Sequence, residues 1–134
     1  MRIKVDRLTK SFGRFQACKG VSFEIEDGRL VGFLGPSGGG KTTILRMLAG
    51  LETPDSGDIW FDDRRMNDVL PQDRGIGFVF QSYALFRHMN VFDNIAFGLT
   101  VQKRKKAEIR RRVEELIELT GLAGLEKRLP HQLS

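Results

Sequence analysis

Hydrophobic and polar positions keep one rhythm over roughly the first 81 residues and another after them. Ile3, Val5 and Leu8 fall near a period of two, with Lys4 and Asp6 between them. Val21, Phe23 and Ile25 alternate strictly with Ser22, Glu24 and Glu26. Both stretches predict strands with one buried and one wet face. Asp27-Gly28 is a turn signal, which predicts that the second strand folds back on the next run as a hairpin. That run, 29–34, is apolar on both faces, and so is Gly75-Ile76-Gly77-Phe78-Val79-Phe80. Each reads as a strand at the centre of a sheet covered on both sides. Asp58-Ile59-Trp60-Phe61-Asp62 reads as a short strand. It ends in aspartate, as a second metal-binding strand would. Three apolar residues and no following glutamate favour a hairpin strand that turns at Asp62-Asp63-Arg64.

Helical signals sit between and after these strands. Thr43-Ile44-Leu45-Arg46-Met47-Leu48-Ala49 reads as a helix with Gly50 just past its end, followed by a loop at Thr53-Pro54-Asp55-Ser56-Gly57. From residue 82 the period lengthens. Asn90 is a capping residue for a short helix ending near Gly98. Ile109, Val113, Leu116, Ile117 and Thr120 mark one face of a helix over 105–120, stopped at Gly121. The change near residue 82 is the single candidate subdomain boundary.

The chemistry concentrates at Gly35-Pro36-Ser37-Gly38-Gly39-Gly40-Lys41-Thr42, which fits the phosphate-loop pattern G-x-x-x-x-G-K-[ST]. An apolar run precedes it and a helix follows, which is the context the motif requires. Glycines let successive N–H groups converge on one anion, and the helix N-terminus adds its positive dipole end. The Lys41 ammonium is placed to reach the β- and γ-phosphates. The Thr42 hydroxyl is placed to complete a Mg²⁺ shell shared with phosphate oxygens, and Thr43 is grouped with the loop as a binding residue. If 75–80 runs parallel to 29–34, Gln81 emerges on the same sheet edge as the loop. Its side-chain carbonyl then ligates Mg²⁺ or holds a water, although on this residue alone a surface glutamine after a strand is the stronger reading.

Composition narrows the setting. With 134 residues, 40% apolar and 29% charged, the chain is long enough for a real core and ordinary for a soluble domain. No run approaches the roughly 18 apolar residues that span a bilayer, so a membrane role is expected to run through a partner. The N-terminus alternates polar and apolar residues, unlike a signal peptide. Cys18 is the single cysteine, which excludes an internal disulfide and a thiolate metal cluster and fits a cytosolic setting. The net charge of +5 is local, because residues 103–112 carry +6 and the remainder −1. That run lacks the interleaved aromatics of a nucleic-acid groove. It reads as a solvated helix face, with proximity to a membrane surface as the next choice, and no nucleic-acid partner is expected.

Together these segments resemble the ATP-binding subunit of ABC transporters over essentially the whole chain. Lys10-Ser11-Phe12-Gly13 places Phe12 where the family has an aromatic that stacks on adenine, commonly tyrosine. Gly50-Leu51-Glu52-Thr53-Pro54-Asp55-Ser56-Gly57 follows the helix as it does in the family, and the Gln81 of Gly77–Phe86 matches the Q-loop glutamine. Pro130-His131-Gln132-Leu133-Ser134 is similar to the run into the signature sequence. Phe86-Arg87-His88-Met89-Asn90 with Val91-Phe92-Asp93-Asn94-Ile95-Ala96-Phe97-Gly98-Leu99 looks most like the sulfate/thiosulfate importers. Polyamine, iron and sugar importers are close in sequence there.

The resemblance implies an α/β P-loop NTPase fold. Its parts are an N-terminal antiparallel β subdomain, a partial RecA-like core and a partial helical subdomain, divided into 1–81 and 82–134. It implies ATP and Mg²⁺ as cofactors, Lys41 and Gln81 as catalytic positions, and Thr42 and Gln81 at the metal. Its implied partners are a second ATP-binding subunit, permease subunits meeting residues 81–99, and a periplasmic or extracellular binding protein acting indirectly. Phe86, Met89 and Phe92 are candidates for the permease contact, with Phe92 favoured as core instead. The implied location is peripheral, on the cytoplasmic face of the membrane. In the family, the Walker B aspartate, catalytic glutamate and switch histidine follow the signature at which Ser134 stands. The residues present are therefore expected to bind MgATP without turning it over, and a sheet without the Walker B strand to expose apolar faces. A GTPase would show an Asn-Lys-x-Asp reader, which is absent, and a small kinase would not explain the C-terminus. A non-catalytic nucleotide-binding fragment is the alternative of a different class.

Overall fold

The computed structural model describes residues 1–82 and 84–133. Tyr83, in the Q-loop-like segment, and Ser134, at the signature-like end, lie outside the described residues. The chain divides into two compact units, Met1–Phe78 and Val79–Ser134.

The first unit is built on four antiparallel strands: β1 (Ile3–Phe12), β2 (Phe15–Ile25), β3 (Ser56–Phe61) and β4 (Arg64–Arg65), in the order β2-β1-β3-β4. Register pairs Val5 with Phe23 on one side and with Ile59 on the other, and Phe12 with Phe15 at the hairpin end. Val5 and Leu8 are both fully buried although three residues apart. A strict period of two would send them to opposite faces. Register shifts between Val5 and Leu8, with Arg7 at φ 47°, reset the phase so that both point into the core. Gly57 allows β3 to run alongside, because a Cβ there would lie 2.4 Å from the Arg7 carbonyl oxygen. The strict alternation of Val21 to Glu26 holds, and β3 turns back at Asp62-Asp63 into β4 as expected.

Helix α1 (Lys41–Leu48) buries Ile44, Met47 and Leu48 against Val5, Leu8, Cys18, Ile59, Phe61 and Met66. Its end is a Schellman motif: Gly50 sits at φ 75°, its N–H donates to the Met47 carbonyl, and the Leu51 N–H donates to the Arg46 carbonyl.

Two expectations are corrected here. Residues 29–34 and 75–80 are not strands of this sheet, and Asp27-Gly28 turns without starting a hairpin. A central strand exists only through its neighbours, with ladders about 4.8 Å to each side and layers on both faces. Among the described residues these runs do not receive that cover, and Leu30, Leu34 and Val79 are almost wholly exposed. Phe33 and Ile76 still reach the core, Phe33 meeting Phe23 edge-on at 5.3 Å between centroids.

In the second unit, α2 (Val91–Val101) packs on α3 (Lys106–Leu119). Ala96, Val113 and Ile117 are buried between them, with Phe92, Ile95, Ile109 and Leu122 around the cluster. Asn90 caps α2 by accepting from the Asp93 N–H at 2.8 Å. The Val91 and Phe92 N–H groups donate to the carbonyls of Arg128 and Glu126, which ties the C-terminal segment to the start of this helix. α2 runs past Gly98 to Val101, because helix packing outweighs the modest cost of one interior glycine.

Candidate phosphate-binding site

The loop of residues 35–40 is shaped by its own backbone before any side chain contributes. The Gly39 N–H donates to the Pro36 carbonyl at 3.1 Å, closing the turn. Gly40 caps α1 in the left-handed region at φ 78° and is buried against β2: a Cβ there would lie 2.0 Å from the Ala17 carbonyl oxygen. Only glycine satisfies both the angle and the contact. Past this cap, the first-turn N–H groups of α1 have no acceptor within the helix, and no acidic residue stands in that turn to compete for them.

Lys41 arches back over the loop, its Nζ donating to the carbonyls of Gly35 at 2.8 Å and Pro36 at 2.6 Å. The ammonium is thus held beside the concavity by weak backbone acceptors that an anion would outcompete. Thr42 is exposed, while Thr43 is half-buried. The loop offers backbone N–H groups, one ammonium and the hydroxyls of Ser37 and Thr42, with no carboxylate, and this donor set fits a polyphosphate. Among the described residues no group of three or more His, Cys, Asp or Glu could hold a metal. A divalent cation would therefore draw its ligands mainly from phosphate oxygens and the Thr42 hydroxyl.

The β1–β2 hairpin end lies next along the same strand. Ala17, which touches Gly40, is two residues from Phe15, and Phe15 pairs with Phe12. Phe12 and Phe15 are 47% and 56% exposed, so two aromatic rings stand at the tip without being core. The Lys10 Nζ lies 5.3 Å from the Phe12 ring centroid. Gln81 belongs to the second unit, exposed at a turn, whereas residues 35–43 and Phe12 belong to the first.

Three residues without a local sequence pattern organise these surroundings, and a fourth acts within the second unit. Lys10 donates to Glu52 at 2.8 Å, Asp55 at 3.4 Å and the Thr53 carbonyl at 2.7 Å. The hydrogen bond to Glu52, followed by that to Asp55, pushes its pKa up, so it is a fixed cation. Arg74, the buried charge among the described residues, donates to the carbonyls of Met47, Leu48 and Val69 and so holds the C-terminal end of α1. Burial without a carboxylate lowers its pKa. Phe15 is the second hairpin aromatic. Asn94 pins residues 86–90 by accepting from the Phe86 N–H and donating to the carbonyls of Phe86, Met89 and Asn90. Lys10 and Arg74 act mainly through contacts distant in the chain, whereas Phe15 and Asn94 act on residues a few positions away.

The family profile described as ABC transporter matches residues 18–134. The chain belongs to the ABC transporter family. A sulfate/thiosulfate import ATP-binding protein of Agrobacterium fabrum is 56% identical to it, covering 100% of this chain and 40% of that protein. The corresponding protein of Vibrio cholerae is 54% identical over 100% of this chain and 37% of its own length. The chain thus spans about two fifths of the curated relatives it matches. Among solved structures, a dimeric ATP-binding cassette in a post-hydrolysis state with ADP and Pi superposes with a TM-score of 0.84 at 29% identity. It covers 98% of this chain and 63% of that one. The fold is accordingly that of an ABC nucleotide-binding domain in part, with an antiparallel sheet and helices.

The second unit carries an exposed aromatic surface. Phe86 lies against Phe97 with centroids 4.3 Å apart and meets His88 edge-on at 6.2 Å. Leu85 is also exposed, whereas Phe92 packs against the α2–α3 core. The basic run leads into α3 and continues along its exposed face, where Arg110 pairs with Glu114 at 2.8 Å and Arg112 with Glu115 at 2.9 Å. Exposed pairs of this kind contribute little to stability. No helix among the described residues is long and apolar enough to cross a membrane.

Proposed function

We propose that this chain is the nucleotide-holding part of an ABC importer ATPase, with MgATP bound at residues 35–43 and the importer serving sulfate or thiosulfate. The observation that carries the reading is the loop itself: a helix cap against Ala17 that only glycine fits, an acid-free helix N-terminus, and Lys41 arched over the loop. Gly35, Pro36, Ser37, Gly38, Gly39 and Gly40 supply backbone, Lys41 neutralises developing phosphate charge, and Thr42 meets Mg²⁺. Phe12 stacks on the base, and Gln81 keeps the Q-loop role that the family resemblance gives it. Phosphoryl transfer depends mostly on positioning and charge neutralisation. These residues orient the triphosphate, and the groups that activate water are supplied elsewhere in the full ATPase.

The names of the similar import proteins support the sulfate/thiosulfate assignment, and the dimeric neighbours support a partner ATPase subunit that completes the site. The Leu85–Phe86–Phe97 surface then meets the permease at the cytoplasmic face of the membrane.

Titration of the chain with MgATP tests the site. Lys41→Ala should weaken binding at least tenfold, and unchanged affinity would rule out the phosphate-loop assignment. For the substrate, disruption of the gene should abolish uptake of labelled sulfate, and normal uptake would refute the sulfate reading.

A further inference from the structure

The phosphate-binding helix is attached to the β1–β2 hairpin at both ends. At its N-terminus Gly40 sits against the Ala17 carbonyl of β2. Beyond its C-terminus the segment 52–55 is clamped to β1. The Asp55 N–H donates to the Thr9 carbonyl at 2.9 Å, the Asp55 carboxylate accepts from the Ser11 N–H at 2.7 Å, and Lys10 reaches Glu52, Thr53 and Asp55 together. The Lys10 and Glu52 side chains are 13% and 22% exposed, so that pair is shielded from water, unlike the pairs along α3, while Asp55, at 46%, forms the wet edge of the network. Phe12 is the next residue after the clamped Ser11, and its ring lies under the same ammonium.

We propose that Lys10 is a positioning residue for nucleotide recognition: anchored by Glu52 and Asp55, it fixes the Phe12 ring as a platform for a planar base and locks that platform to the phosphate-binding helix. The proposal rests on the reading that Phe12 meets the base. A cation over one face of an aromatic ring holds the ring in place and leaves the other face for stacking. The 47% exposure of Phe12 is what such a platform requires, since a core phenylalanine would be covered. The clamp on Thr9 and Ser11 fixes the backbone on which the ring stands. Base end and phosphate end therefore belong to one frame, so that less ordering remains to be paid on binding.

The test separates the base from the phosphates. The full chain is titrated with MgATP and, separately, with magnesium tripolyphosphate, which has no base. Lys10→Met should weaken MgATP about two- to fivefold, the range of a cation–π contact, and leave tripolyphosphate unchanged. Lys10→Arg should restore most of the loss. Asp55→Asn, which keeps the shape of the clamp but removes its charge, should show the same selective loss and serves if Lys10→Met does not fold. In the Phe12→Ala background, Lys10→Met should add nothing. Equal weakening of both probes would mean that Lys10 supports only the fold, and the proposal fails. Selective loss in Phe12→Ala with wild-type behaviour in Lys10→Met refutes the proposal but leaves the platform standing. Unchanged MgATP affinity in Phe12→Ala removes the platform, and the proposal with it.

Discussion

Replacing Gly40 by alanine puts a methyl group where the Ala17 carbonyl oxygen already is. The ideal Cβ lies 2.0 Å from that oxygen, so reaching even 3.0 Å requires the α1 cap and β2 to part by about 1 Å. Overpacking of this kind costs about 1–3 kcal/mol. The left-handed cap at φ 78° adds about 1–2 kcal/mol for an L-residue. Gly38→Ala provides the internal control, because Gly38 has the same φ of 78° with nothing within 4 Å of its Cβ, and it pays only the conformational part. The readout is built into the chain. Cys18, next to Ala17, is 3% exposed and is the single cysteine. Its thiol, pushed up in pKa by burial, should react with a maleimide only when α1 lifts from β2. When closing is fast, labelling follows the open population. At about 1.4 kcal/mol per decade, Gly40→Ala should label Cys18 roughly ten to a hundred times faster than Gly38→Ala. Equal rates in the two variants would refute the claim that the loop is seated on β2 through this glycine.

Two further perturbations test the frame. Arg74→Met leaves the Met47, Leu48 and Val69 carbonyls without their charged donor but also relieves a desolvated cation. The net loss should be about 2–4 kcal/mol by denaturant titration, and a loss below about 1 kcal/mol would mean that water replaces the guanidinium. Asn94→Asp keeps the acceptor for the Phe86 N–H but turns a carboxylate toward three carbonyls. It should cost about 1–3 kcal/mol and speed amide exchange at Phe86 and Met89. Unchanged exchange there would show that residues 86–90 are held by other contacts.

Helix existence was well marked in the sequence because its signals are local. The cap at Asn90, the apolar stripe of α3 and the glycines at 50 and 121 each act within a few residues. The half-buried strand at Val21–Ile25 was legible for the same reason, since alternation records which face is wet. Residues 29–34 and 75–80 were harder. A run apolar on both faces states that cover is needed, but it does not name the partner, and strand character depends on a ladder from distant residues. The double burial of Val5 and Leu8 needed the break at Arg7, which no periodicity records.

By itself the sequence marked the candidate phosphate loop, because glycine conformations, a following helix and Lys41 carry their chemistry within eight residues. It also determined which family the chain resembles. The tertiary structure decided how that loop is held: Gly40 against Ala17 at one end of α1, and Arg74 on the carbonyls at the other. It also brought Lys10, Glu52 and Asp55 together beside Phe12. Those contacts join residues tens of positions apart, and only folding chooses among such partners, since side-chain type leaves many combinations equally favourable.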